Sequence, residues 1–438
     1  MSVLRYALPV LAVAGSVAGK LTRPSSPHTA DTKWSSCATL SLRDFRSGWS
    51  TYRTVVLTIR FPAQCSAATT TIQNSGDASA LARCSTFSGS VAVATGTTDT
   101  LRIPSVRRIT GDVIAENVAG IPSLEASDLE MIDGSFTLTN LTILSNLNMP
   151  RLTDVGRIIW EGLPNLPQLS FTSQVKTALS VSIQNTFLSS LEGINLETVE
   201  SFVVANNGFL NEINLQLANV SEQFTLEANG PQLVVALPNL IWGNEMNFLN
   251  CSSVNIQSLQ TTNGSLGFYS NFFTEISAPN LTEVANSLSF VANSELSNIT
   301  FPQLRSVGGG LLIANNSQLE NINGFPALET IGGALDFNGQ FNNVELPELN
   351  NVRGAFNLQS TEDIQEDCDA FRRISGPTNI IKGRFQCAGR QSNPGGANTT
   401  PTSGSSGSSP SGAAGHLDIS SSTVMGVSGV LAAIFGLL

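Results

Sequence analysis

The sequence predicts an all-β fold, a right-handed parallel β-solenoid of about twelve coils, each about 22 residues long, with disulfide-capped ends. Three observations lead there. A fixed spacing of residues recurs from position 104 to 358. Within each repeat two apolar residues flank a third, which is the period of a strand. The remaining apolar positions come every three residues, too sparsely for a long helix.

The repeat is clearest in two consecutive copies. Pro279, Leu281 and Val284 are followed by Leu288, Phe290, Asn293, Leu296 and Ile299; Pro302, Leu304 and Val307 are followed at matching offsets by Leu311, Ile313, Asn316, Leu319 and Ile322. Pro326, Leu328, Ile331, Leu335 and Phe337 open a third copy, and Pro347, Leu349, Val352, Phe356 and Leu358 a fourth. Weaker copies run back through Leu266/Phe268/Asn271, Phe224/Leu226/Asn229, Val203/Ala205, Val181/Ile183, Phe136/Leu138 and Val113/Ala115. One such unit cannot bury its inward row. Stacking coils about 4.8 Å apart, strand on strand, buries that row as continuous columns. Asn271, Asn293 and Asn316, each fourteen residues after a Pro or its equivalent, are expected to point inward at a corner, where the amide bonds the backbone of its own and the adjoining coil. Gly308-Gly309-Gly310 reads as tight backbone geometry at a coil turn, with no phosphate-binding loop around it.

The ends have their own signatures. Residues 1–19 read as a secretory signal peptide: Arg5, an apolar run from Tyr6 to Val13, and the small residues Val17-Ala18-Gly19. The run is too short to span a bilayer. At the other end Val424 to Leu438 is apolar, preceded by the polar spacer Gly415 to Thr423 and the small group Ser411-Gly412-Ala413-Ala414. This is the pattern of a glycosylphosphatidylinositol (GPI) attachment signal covering 412–438, with Gly412 as the attachment residue and Ser411 or Ala413 as neighbours in reserve. Residues 391–411, rich in Ser, Thr, Gly and Pro, make a stalk too polar to bury.

Lys20 to Gln64 stands apart, with seven basic and two acidic residues and no repeat. Two readings stay open for it, a translated intron and a disordered pro-region. Gly19-Lys20 is encodable as GGTAAG, which contains a splice donor, and Phe61-Pro62 lies where a pyrimidine-rich acceptor belongs. Over the whole chain the net charge is −11; residues 65–411 alone hold 14 basic and 30 acidic residues, a net −16. Such a body repels nucleic acid and anionic headgroups.

The repeat spacing is close to that of leucine-rich repeats, but the apolar residue after the Asn comes three positions on instead of two, and no helix follows. The chain resembles the fungal GPI-anchored cell-wall organisation proteins of the sporulation-specific and extracellular-mutant type, related to receptor L-domain solenoids. The residues behind the likeness are Thr71-Ile72-Gln73-Asn74 before Cys84, Ile109-Thr110-Gly111-Asp112, Ile183-Gln184-Asn185-Thr186, Val307 to Gly310 and Ile322-Asn323-Gly324-Phe325-Pro326. It covers about 65–390 and the C-terminal signal, and Lys20–Gln64 departs from it. The resemblance implies a non-enzymatic glycoprotein of the outer plasma-membrane leaflet and cell wall, supporting wall organisation, integrity and morphogenesis, with wall polysaccharide or mannoprotein as partner and membrane contact through the lipid.

Six cysteines in a secreted chain suggest disulfides. Cys65 and Cys84 precede the first coil and Cys368 and Cys387 follow the last, each pair 19 apart, so each is expected to close one open end of the stack. Cys251 reads as a buried free thiol, and Cys37 lies in the anomalous segment. Of the Asn-x-Ser/Thr sequons, Asn140, Asn219, Asn263, Asn280, Asn298 and Asn398 are expected to carry glycans, while Asn250 and Asn315 adjoin inward residues and are weaker candidates.

The two histidines, His28 and His416, fall in the anomalous segment and the removed tail. Ser-His-Asp, Cys-His and histidine-metal chemistry are thereby excluded from the mature body, and no catalytic residue, metal or cofactor is expected. The rival reading is a carbohydrate-active lyase or hydrolase, which needs carboxylates or basic groups on one face. The densest acidic group, Glu362, Asp363, Glu366, Asp367 and Asp369, reads as a solvated cap. A third reading is a receptor-like or adhesive ectodomain. Outward aromatics suited to sugar rings reduce to Tyr269 and one of Phe272 and Phe273, with Phe273 favoured; Trp160 and Trp242 follow apolar neighbours and are expected inside.

Overall fold

A computed structural model describes residues 65–395 and the backbone of two short strands before them. The chain divides into two units, Met1–Arg60 and Phe61–Leu438. In the first, Ala38–Leu40 pairs antiparallel with Val55–Leu57. The signal peptide, most of the 20–64 segment, the stalk beyond 395 and the GPI signal, and with them Asn398 and Gly412, lie outside the described residues.

The second unit is a parallel β-solenoid of about thirteen turns. The repeat pattern gives about twelve; outside it the strands Ser66–Ile72, Thr86–Val93 and Phe385–Ala388 continue the stack at its two ends. The register follows the repeat: Leu266, Leu288, Leu311, Leu335, Phe356 and Phe385 are Cα partners on successive rungs. So are Phe268, Phe290, Ile313, Phe337, Leu358 and Cys387. Both columns point inward because a single residue lies between them on each strand. Shorter strands a few residues earlier, such as Glu283–Val284 and Ser306–Val307, form a second stack, and Glu275–Ser277 with Asn298–Thr300 belong to a third face.

Stacking decides which side chains the core accepts. Phe202 on Phe224 and the run Phe248, Phe268, Phe290 bring ring centroids within 5.1–5.5 Å, nearly parallel in each case. Glycines pile up where the chain bends between the first and second strand stacks. A Cβ on Gly354 would lie 2.6 Å from the carbonyl carbon and oxygen of Gly333, whose own Cβ would lie 2.8 Å from the Gly309 carbonyl carbon. Only a residue without a side chain lets the backbones approach this closely.

Two α-helices occur among the described residues, both in the caps, the first continued by a 3-10 turn at Leu81–Arg83. α1 (Ser75–Ala80) is capped by Asn74, whose side chain accepts from the N–H groups of Gly76 and Asp77. α2 (Gln365–Arg373) covers the far end, with Phe371 buried against Phe356. The disulfides Cys65–Cys84 and Cys368–Cys387 tie these caps to the stack.

Candidate functional site

The corner after the main strand is built the same way on coil after coil. Asn117, Asn140, Asn185, Asn206, Ala228, Asn250, Ser270, Ala292 and Asn315 all have φ between 51° and 61°, the left-handed region that Asn tolerates well among side-chain-bearing residues. In the later coils the next residue turns its side chain inward and forms a ladder. The Asn293 Oδ1 accepts from the N–H and Nδ2 of Asn271, and its Nδ2 donates to the Phe268 carbonyl and to Asn316 Oδ1. Asn207 and Asn229 form the same pair lower down. Cys251 occupies the slot between the two runs, with its N–H on Asn271 Oδ1 and its thiol facing the Leu249 carbonyl. It is free and fully buried, and burial pushes its pKa up to about 12. These residues hold the coil together and are sealed from any ligand.

The acidic group at the C-terminal cap is dispersed by its contacts. Asp363 pairs with Arg390 and Asp369 with Arg372. Asp367 accepts from the Val344 N–H; its pKa is raised mainly by burial, with Glu366 and Glu345 adding to the rise and the Val344 bond opposing it. Among the described residues, no three His, Cys, Asp or Glu side chains gather where they could hold a metal ion. A polar cavity of about 320 Å³ lies beside Gln174, Glu192, Asn195 and Glu212. Another of about 270 Å³ is lined by Asn315, Asn338, Gln340 and Thr361 and bordered by Asn393 and Pro394, where the chain turns back over the coils.

The outward aromatics differ from the sequence reading in two places. Phe273 is inside, 4% exposed, with its ring edge-on to Phe268; its neighbour Phe272 faces out. The corner after Asn271 is short: Phe273 turns in two residues after the ladder position, where Leu296 and Leu319 come three after theirs. Trp242 is partly exposed, because the inward slot of its strand is taken by Gly243, and the Met246 thioether fills the space. Trp160 is buried, as its apolar neighbours suggested.

Tyr269 is outward but does not stand up. Its ring lies across Gly267 on the same strand, where a Cβ would sit 2.6 Å from Tyr269 Cζ. The hydroxyl reaches Ser289 on the next coil, and burial holds the phenol pKa above its usual value, with Glu245 adding to the rise. Of the sequon residues expected to carry glycans, Asn140, Asn263, Asn280 and Asn298 are exposed and Asn219 partly so.

Comparison with known proteins adds the biological setting. A cell surface GPI-anchored protein of Arthroderma benhamiae is 40% identical over 325 residues, 74% of this chain and 83% of the relative. The protein ecm33 of Aspergillus fumigatus is 39% identical over 366 residues, 77% of this chain and 85% of the relative. The chain belongs to the fungal Ecm33 and sporulation-specific protein family. A cell wall protein ecm33 of Schizosaccharomyces pombe, 31% identical over 350 residues, covers 77% of this Ecm33-family chain and 82% of its own length. No family model and no solved structure matches the chain. Ecm33-family membership places it at the cell surface and in the cell wall.

Proposed function

We propose that this protein is a non-enzymatic, GPI-anchored wall glycoprotein that supports wall organisation, integrity and morphogenesis. The observation that carries the reading is the union of a solenoid whose polar corner residues are consumed by its own backbone with relatives named for the cell surface and wall. The signal 1–19 is removed, the lipid is attached at Gly412, and 391–411 hold the solenoid off the membrane. Glycans sit on Asn140, Asn219, Asn263, Asn280, Asn298 and Asn398, and the partner is wall polysaccharide or mannoprotein. Of the five carboxylates that an enzymatic reading would enlist, Asp363, Asp367 and Asp369 are held instead by Arg390, the Val344 N–H and Arg372. Deletion of the gene is expected to sensitise cells to wall-binding dyes and to change wall composition. Unchanged sensitivity and composition would overturn the role.

A further inference from the structure

The basic residues of the body are confined to its two ends. Residues 177–304 hold ten glutamates and no lysine, arginine, histidine or aspartate, so this middle stretch alone carries −10 of the net −16. No Asn-x-Ser/Thr sequon lies between Asn140 and Asn219, whereas residues 219–315 hold six. The first coils of the middle stretch are therefore anionic without a counter-charge of their own, and they offer no acceptor for an N-glycan up to Asn219. Such a surface favours a cationic partner over an anionic one.

On these coils the third face is interrupted. It is stranded before them, at Ser123–Glu125 and Asn146–Asn148, and after them, at Glu212–Asn214, Val234–Ala236 and Ser253–Asn255. At Ser170 and Ser190 only isolated bridges remain. Gly193, with φ of 102°, turns the chain there, and the polar cavity of about 320 Å³ opens beside it, at the lower end of the size range of small-ligand sites. Glu212, Asn214 and Gln216 reach the cavity by alternating with the buried Ile213, Leu215 and Leu217, and Glu192 lines it from the preceding coil. Both glutamates are exposed, and no lysine or arginine lines the cavity. The Asn214 amide and the Nε2 groups of Gln174 and Gln216 make no hydrogen bond within the protein, while the Oε1 atoms of the two glutamines accept from Asn195 and Asn239. Two exposed rings stand close by. Phe187 and Phe209 come three residues before Ser190 and Glu212, which line the cavity as bridge partners, so about 10 Å of chain at most separates them from it. The rings lie 4.1 Å apart, centroid to centroid, and are 38% and 54% exposed; among the described residues this is the one ring pair with both members exposed.

We propose that this cavity and the Phe187–Phe209 pair bind a polysaccharide bearing free amines, of the glucosamine class. Three features have to be matched at once. Carboxylates without a counter-charge call for a cation, and unused amide groups call for hydroxyls. Exposed ring faces, negative at their centres, attract the polarised C–H groups of a pyranose and an ammonium alike. A lysine or arginine side chain would meet the carboxylates and leave the amides idle; a neutral sugar would meet the amides and leave the carboxylates unpaired. An amino sugar matches all three. The inference rests on the wall-protein reading and names the partner within it.

The test titrates the secreted protein with the glucosamine hexamer, its N-acetylated counterpart, laminarihexaose and hexalysine by calorimetry, at mildly acidic pH and low salt. The glucosamine hexamer is expected to bind about tenfold or more tightly than each of the other three, and to weaken as salt rises. Phe209→Ala, and Glu192→Gln combined with Glu212→Gln, should each weaken that binding about tenfold or more, while Glu275→Gln, on the third face but outside the cavity, stays within about twofold. The Glu192→Gln and Glu212→Gln changes keep side-chain size at exposed positions, so they report even if Phe209→Ala fails to fold. Equal binding of the N-acetylated hexamer or of hexalysine, no binding of the glucosamine hexamer, or binding unmoved by the paired glutamate changes or lost equally with Glu275→Gln, overturns the proposal. Surface display and the dye phenotype of the gene deletion would stand in that case, which separates failure of this site from failure of the wall role.

Discussion

Replacing Asn293 by alanine breaks four hydrogen bonds at a position with no solvent exposure. The Asn271 side chain keeps its bond to the Phe248 carbonyl, but the Asn271 N–H, the Phe268 carbonyl and Asn316 Oδ1 each lose the amide that served them. Taking two of these as newly unsatisfied at about 1–3 kcal/mol each, the loss centres on about 4 kcal/mol. Substitution of the neighbouring exposed Ser294 by alanine should fall within about 0.5 kcal/mol. The reverse change is available in the same ladder. Cys251→Asn puts an amide between Asn229 and Asn271, where it can accept from Asn229 and join the two runs, and should raise stability by about 1 kcal/mol. Urea denaturation followed by tryptophan fluorescence and far-UV circular dichroism measures all three; coincidence of the two probes tests whether the stack unfolds as one unit. If Asn293→Ala costs no more than Ser294→Ala, the ladder is not what fixes the corner and the reasoning fails.

Other outcomes follow from the same structure. Cys251, buried with its pKa pushed up to about 12, should resist maleimide at mildly alkaline pH and react once the protein is unfolded, as read by intact mass. Gly354→Val drives a side chain into the Gly333 backbone and should cost about 3 kcal/mol, measured as a drop in denaturation midpoint. Asp367 has a folded pKa above its ordinary 3.8. Between those two values only the folded state holds the proton, so its contribution favours folding at acid pH and is lost as pH rises through the folded pKa. Asp367→Asn, which can still accept from the Val344 N–H, should therefore raise the thermal midpoint at neutral pH and flatten its dependence on pH.

Much of this architecture is legible in the spacing of apolar residues because a stack repeats one environment many times. A column such as Leu266, Leu288 and Leu311 declares itself by equal offsets, and the Asn residues at 271, 293 and 316 do the same for the corner. The ladder reaches further back, through Asn229, which the repeat already places, to Asn207, which the weaker copy at Val203/Ala205 does not show; Cys251 interrupts the run between them and Asn271. What the pattern does not carry is the length of each corner and the filling of each slot. The inward turn of Phe273 depends on a corner one residue tighter than its neighbours, and the outward turn of Trp242 on a glycine whose space Met246, three residues on in the same strand, occupies. The attitude of Tyr269 is invisible for the same reason, since it rests on an absent side chain at Gly267.

Hydrogen–deuterium exchange across the secreted protein tests most directly whether one unbroken stack runs between the two disulfides. Main-chain amides in Met246–Leu249, Leu266–Tyr269, Leu288–Val291 and Leu311–Ala314 should exchange slowest and together, with protection declining toward the ends near Cys65 and Cys387. Rapid exchange within any of those four strands, or protected blocks parted by an open segment, would contradict it.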